Sequence, residues 1–290
     1  VVFDASMRNR IQRRLEIENG LRRALHTGEF KLMYQPIVSV ETMEVESFEA
    51  LIRWVRPDGV RVGPEEFIPI AEDAGLIVSI GEWALNEACR QMAAWKLADP
   101  RTAPKSVSVN VSRKQLHMAD FARSAAETVA SHGVLPSEIH LEVTESAITS
   151  DASMAKLALS ELERLGFGLD LDDFGAGYTS LGDLKDFPFK CLKLDKQFVM
   201  SMSLDMEYTA LVRATMLLAR NFGMSLIAEG VETSEHLMML HSMGCDFAQG
   251  YLFSRPIEAD EVPGFRFGHE NLVPGIPMIV PRPTVLDEAA

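Results

Sequence analysis

The chain has 290 residues, 47% of them hydrophobic, and its 42 acids against 28 Lys and Arg leave a formal charge of −14. That length and apolar content suffice for one large core, as in single-domain α/β barrels, and the acidity speaks against duplex nucleic acid, whose binding calls for a basic face. No uncharged apolar run nears the roughly 20 residues of a membrane helix, and "VVFDASMRNR" is no signal peptide, so a cytoplasmic chain without a membrane segment is expected.

From the N-terminus, "DASMRNRIQRRLEIENGLRRALHTGEF" sets Ile11, Leu15, Leu21 and Leu25 at roughly helical spacing, with Gly28 where a C-cap belongs. This predicts a basic amphipathic connector helix over 1–28; packing is its simplest role, and docking on an acidic surface the alternative. The start at Val1 suggests a segment of a longer protein. Strand-like segments follow near 31–38, 45–54, 106–112, 138–143, 167–172, 189–194, 224–229 and 246–252, separated by helical patterns such as "PEEFIPIAEDAGLIVSIGEWALNEACRQMAAW" and "DASMAKLALSELERLG". Eight strands with helical crossovers predict a (β/α)8 TIM-like barrel over 29–268. The first two strands are joined by too few residues for a parallel crossover, so the first is expected antiparallel and the barrel irregular. The Met-rich "KQFVMSMSLDMEYTALVRATMLLARNFGM" reads as packing helix, and 269–290 as a Pro-rich, loosely attached tail. Cys89, Cys191 and Cys245 are scattered without a C-x-x-C pair, which suits a reducing compartment and small core residues.

Side chains alternate along a strand, so each strand can be divided into two faces. Glu49, Leu51 and Arg53 share one face of "SFEALIR", and Ser108 and Asn110 lie opposite the valines of "SVSVNVS". His140 and Glu142 lie opposite Ile139 and Leu141, Asp170 and Asp172 opposite Leu169 and Leu171, and Lys193 and Asp195 opposite Leu192 and Leu194, while "SLIAEGVE" ends on Glu229. Six strands thus carry an acid, an amide or a lysine near the C-terminal end on the inward side, where barrel active sites lie. Carboxylates converging in this way repel one another unless a cation joins them, and an all-oxygen set suits Mg²⁺ or Mn²⁺. Asp172 and Asp173, adjacent before "FGAGY", can bridge two metals about 4 Å apart, as in-line displacement at phosphorus requires. Arg53 and Lys193 supply positive charge for a phosphate. Asp170 has no metal role in this scheme and reads best as bonded to a neighbouring strand.

With these residues in hand, a family resemblance emerges. "YQPIV" at 34–38, "FEALIRW" at 48–54, "EEFIPIAEDAGLI", "VNVS", "LEVTES", "LDDFGAGYTSL", "LKLD", "IAEGVET" and "AQGYLFSRP" resemble, in order, the motifs of the EAL domain, a phosphodiesterase that hydrolyses cyclic di-GMP to linear 5′-pGpG. The resemblance runs from about residue 10 to 265. It implies an irregular barrel with an antiparallel first strand and two Mg²⁺ or Mn²⁺ ions. Glu49, Asn110, Glu142 and Asp172 match the ligands of one metal, and Asp172, Asp173 and Glu229 those of the second. Lys193 matches the lysine that orients the attacking water. Glu229 also matches a residue assigned as general base, and the two roles stay open. Glu145 matches the glutamate that braces the "DDFGAGYTSL" loop; Gln35, Leu51, Arg53, Asp195, Glu232 and Gln249 match substrate contacts. Ala176, Thr179 and Asp170 depart from the usual threonine, serine and small residue. The resemblance further implies a homodimer and an upstream GGDEF or sensory domain. A receptor that binds the nucleotide without cutting it, or an enolase-type barrel, are the competing readings.

Overall fold

The alternation read along the sequence becomes the wall of a closed barrel. The computed structural model describes residues 5–149, 151–175 and 184–267. Its barrel strands are β1 (Phe30–Ser39), β2 (Val45–Val55), β4 (Val107–Val111), β5 (Ile139–Thr144), β6 (Gly168–Phe174), β7 (Cys191–Leu194), β8 (Ser225–Ala228) and β9 (Phe247–Ala248). They hydrogen-bond in that order, and β9 closes onto β1. From β2 through β9 neighbours run parallel, whereas β1 is antiparallel to both β2 and β9, as the short connection after it requires. A two-residue strand without a clear sequence signal, β3 (Arg61–Val62), extends the sheet from β2. The last strand is shorter than expected, and the chain after it turns against the segment that follows β8: a Cβ at Gly250 would fall 2.1 Å from the Val231 carbonyl oxygen.

The helices form where caps and apolar stripes coincide. Helix α2 (Pro64–Asp73) opens on a proline with Glu65 and Glu66 in its first turn, favourable beside free N–H groups. Helix α3 (Ile77–Ala98) and α5 (Phe121–Ser131) follow, and Ser112 and Gln115 form a capping box around α4 (Arg113–Leu116). After α6 (Glu145–Thr149), Asp151 caps α7 (Ala152–Leu165), which ends on Gly166 in the left-handed region. Asp195 caps α8 (Lys196–Met202) and Asp205 caps α9 (Met206–Asn221), so the Met-rich stretch read as one packing helix forms two, and Thr233 caps α10 (Ser234–Met243). Val107, Val109, Val111, Leu141, Leu169, Leu171, Leu192 and Leu226 are buried outward against this helical layer. Inside, Ile37, Cys191 and Ile227 form an apolar floor with Phe247.

The N-terminal helix α1 (Ala5–Thr27) packs on the barrel through only the C-terminal half of the stripe its spacing suggested, Leu21 and Leu25. Ile17, Leu21 and Ala24 are buried with Phe30, Trp54 and Phe67, while Ile11 and Leu15 remain about half exposed. The Trp54 indole lies over Gly20, where a Cβ would stand 2.7 Å from the ring, and this fit selects the docked face. Arg13 makes a two-pronged contact with Glu66 at 2.7 and 2.9 Å. Arg23 meets Glu29, whose carboxylate also accepts from the Trp54 indole N–H at 2.9 Å. The features at Ala176, Gly177, Tyr178 and Thr179 and the tail 269–290 lie outside the described residues.

Candidate active site at the barrel mouth

Strand register brings the inward acids to one level. Gln35 pairs with Glu49 between β1 and β2, Asn110 with Glu142 between β4 and β5, and Thr144 with Asp172 between β5 and β6. Lys193 rises from β7 into their midst and is 1% exposed. Its Nζ lies 2.8 Å from Glu142, 2.8 Å from Glu229, 3.2 Å from Glu49 and 3.4 Å from Asp172. Part of the cationic charge demanded by the acid cluster is therefore carried by the chain itself. Asn110 Nδ2 donates to Glu49 Oε1 at 2.9 Å, and Gln249 Nε2 donates to Glu49 Oε2 at 2.7 Å.

One ammonium does not neutralise this many carboxylates. Burial, reinforced by Glu49, raises the Glu142 carboxyl well above the usual carboxylate range. Burial likewise pushes Glu229 up to about 8, with Asp172 and Glu49 adding to the effect against Lys193. Asp173 is pushed to about 6 by burial, then by Asp172 and Asp195. Burial opposes ionisation of Glu49 too, yet Lys193, Gln249 and Asn110 outweigh it and hold that carboxyl below its ordinary value. For Lys193 the acids overcome burial and raise its pKa, keeping it charged. Excess negative charge is what a divalent cation would relieve.

The donors fit such an ion. Oxygens of Asp172, Asp173 and Glu229 come within 4.8 Å of one another, and Glu142 Oε1 is buried without a hydrogen-bond partner. Adjacent aspartates can share this space because the ladder is irregular between Leu171 and Phe174, and Asp173 adopts φ 55°, a left-handed conformation that Asp tolerates. Asp172 Oδ1 accepts the Asp173 backbone N–H at 3.0 Å and fixes this turn. Glu145 Oε2 accepts the Gly175 N–H at 3.2 Å, and Gly175, at φ 97°, lies where a Cβ would strike the Phe198 ring.

Beside these acids opens a cavity of about 410 Å³. Of the expected substrate contacts, Gln35, Leu51, Glu232 and Gln249 line it, and Gln249 Nε2 also reaches Gln35 Oε1 at 3.2 Å. Arg53 and Asp195 do not line it: the Arg53 guanidinium donates to the Ile52 carbonyl, and Asp195 accepts the Gln197 N–H as a helix cap. The wall adds Lys196, Met200 and Tyr251, which strand alternation could not flag because they lie beyond strand ends. Asp170 stands apart from the metal-type cluster, bonded to His140 Nδ1 at 2.9 Å on the neighbouring strand, in line with the strand-to-strand role read for it. That contact overcomes burial and raises the His140 pKa.

Comparison with known proteins agrees with this geometry. The EAL domain family matches residues 18–256. The bifunctional diguanylate cyclase/cyclic di-GMP phosphodiesterase MucR of Pseudomonas aeruginosa is 38% identical over 260 residues, covering 90% of this chain and 38% of MucR. The chain thus spans little more than a third of that relative's length. The structure of the PaMucR phosphodiesterase in complex with c-di-GMP superposes with a TM-score of 0.81 at 38% identity, covering 85% of this chain and 99% of that one. The EAL enzyme Bd1971, in its cAMP- and cyclic-di-GMP-bound form, gives 0.81 at 32% identity over 87% of this chain and 68% of its own. Glu49-Ala50-Leu51 on β2, the acids that surround Lys193 and a match over most of the barrel lead to one assignment: the chain belongs to the EAL domain family.

Proposed function

We propose that this chain is a metal-dependent phosphodiesterase that hydrolyses cyclic di-GMP to linear 5′-pGpG. The observation that carries the reading is the Asp172, Asp173 and Glu229 oxygen cluster, at the edge of a cavity whose acids are tied to Lys193, in a domain 38% identical to one solved with c-di-GMP. Glu49, Asn110, Glu142 and Asp172 would hold one Mg²⁺ or Mn²⁺, and Asp172, Asp173 and Glu229 a second. When bound, such ions supply the charge that acidifies water and stabilises in-line displacement at phosphorus.

The chain's own groups do the rest. Lys193 Nζ holds Glu142, Glu229, Glu49 and Asp172 in one constellation and can donate to the attacking water. Glu229, 2.8 Å from Lys193 Nζ, can accept the water proton on a carboxylate oxygen, a role that competes with metal ligation. Glu145 holds Gly175 beside the reacting acids. Gln35, Leu51, Glu232 and Gln249 face the nucleotide in the cavity, and the family resemblance adds Arg53, on a phosphate, and Asp195 as substrate contacts. The family resemblance extends the proposal to a homodimer and to an upstream GGDEF or sensory domain in a longer parent.

The test is pGpG release by purified protein in Mg²⁺ and in EDTA. Product in Mg²⁺, none in EDTA and none from Glu49→Ala is expected. Tight nucleotide binding without product would favour a receptor, and full activity of Glu49→Ala would overturn the site assignment.

A further inference from the structure

The cavity wall has one cation among its described residues. Glu49, Asp172, Glu229 and Glu232 make the wall acidic, and Lys196 is the only basic residue that lines it. Two other cations near the mouth do not line it. Lys193 is buried among four carboxylates, and the Arg53 guanidinium donates to a backbone carbonyl outside the lining. Lys196 is exposed and, among the described residues, has neither a carboxylate within ion-pair distance nor a hydrogen bond. Its neighbour Asp195 does not neutralise it by contact, since that carboxylate caps α8.

The base of the Lys196 side chain is closely packed. Gly230, at φ 69°, lies against it so closely that a Cβ there would fall 2.5 Å from Lys196 Cβ and 3.2 Å from its Cα. One turn on, Met200 lines the same cavity, so this face of α8 forms one of its walls.

We propose that Lys196 binds the phosphate of the cyclic dinucleotide that is not being cut. The inference rests on the phosphodiesterase reading. A cyclic dinucleotide carries two anionic phosphodiesters; with one at the metal-binding acids, the other must enter an acidic cavity. An ammonium on a flexible stem is a point charge suited to one phosphate oxygen. Lys196 would therefore contribute to substrate affinity and specificity, away from the bond that breaks.

The test compares wild type, Lys196→Gln and Lys196→Arg with cyclic di-GMP in Mg²⁺, together with equilibrium binding of the nucleotide in EDTA. The expected result for Lys196→Gln is a KM about tenfold higher with kcat within about threefold, and a similar loss of affinity in EDTA, as for one charge-assisted bond. Lys196→Arg restores most of both, and wild-type KM rises with NaCl more steeply than that of Lys196→Gln. Unchanged KM and affinity in Lys196→Gln, or a fall confined to kcat, would overturn the inference while leaving the phosphodiesterase reading intact. Should Lys196→Gln fail to fold, a wild-type KM indifferent to NaCl would overturn it equally. Wild type that releases no pGpG in Mg²⁺ removes the reading and the inference together.

Discussion

Replacing Glu229 with glutamine keeps its size and removes its charge, which isolates the electrostatic load at the barrel mouth. In the metal-free protein the Glu229 carboxyl is raised from an ordinary 4.5 to about 8, by burial first and then by Asp172 and Glu49. A raised carboxyl contributes stability that is complete below pH 4.5 and is lost as pH climbs through 8, because the unfolded chain ionises freely while the folded one resists. At about 1.4 kcal/mol per pH unit the loss has a ceiling of about 5 kcal/mol. The side chain is 20% exposed and shares Lys193 with three other acids, so about 2–3 kcal/mol is the expected size. Urea unfolding in EDTA at pH 5, 6.5 and 8.5 measures it. Wild type and Glu229→Gln should agree within about 1 kcal/mol at pH 5, and the variant should be the more stable by about 2–3 kcal/mol at pH 8.5. Excess Mg²⁺ should flatten the wild-type curve, since a ligand that binds only the folded state stabilises it. Parallel curves for the two proteins in EDTA would refute the picture of uncompensated charge.

Two further predictions concern parts of the fold outside the acid cluster. Gly20→Ala adds a good helix former to α1, worth about 1 kcal/mol in an open helix, but its methyl meets the Trp54 ring. Net destabilisation of about 1–3 kcal/mol is expected in urea, and a more stable variant would contradict the docking of α1. Asp170→Asn should lower the His140 pKa, followed by NMR titration of the imidazole, because Asp170 is the group that raises it. An unchanged titration would remove the Asp170–His140 pair.

The inward acids, the antiparallel first strand and the eight strand positions are legible in the sequence because each depends on local alternation or on loop length. What depends on register or three-dimensional fit is not. Alternation turns Lys193 inward, but only the pairing of β2 through β8 surrounds it with Glu49, Glu142 and Asp172 and with Glu229 just past the end of β8. Helical spacing offered Ile11 and Leu15 as buried, yet Gly20 and Trp54 fit together and turn Ile17 and Ala24 inward. Asp195 matched a substrate contact by motif, and that it also caps a helix through Oδ1 depends on where α8 begins. Lys196 and Tyr251 lie beyond strand ends, where period two carries no information.

Three aspartates in "LDLDD" would be untenable with one shared environment, and the structure gives each a different one. Asp170, deepest, is joined to His140, a partner found by reading two residues back along the neighbouring strand from Glu142. Asp172, at the next inward position, meets the Lys193 ammonium at 3.4 Å. Asp173 should face outward by alternation, but its left-handed φ returns it to the oxygen cluster with Asp172 and Glu229. No protein cation lies within ion-pair distance of Asp173 among the described residues, and burial raises its pKa to about 6. The aspartate left without a counter-charge is thus the one placed where the proposed second metal would bind. Backbone geometry at a single residue therefore carries Asp173 beyond ion-pair reach of Lys193 and into the oxygen cluster where the cation is proposed.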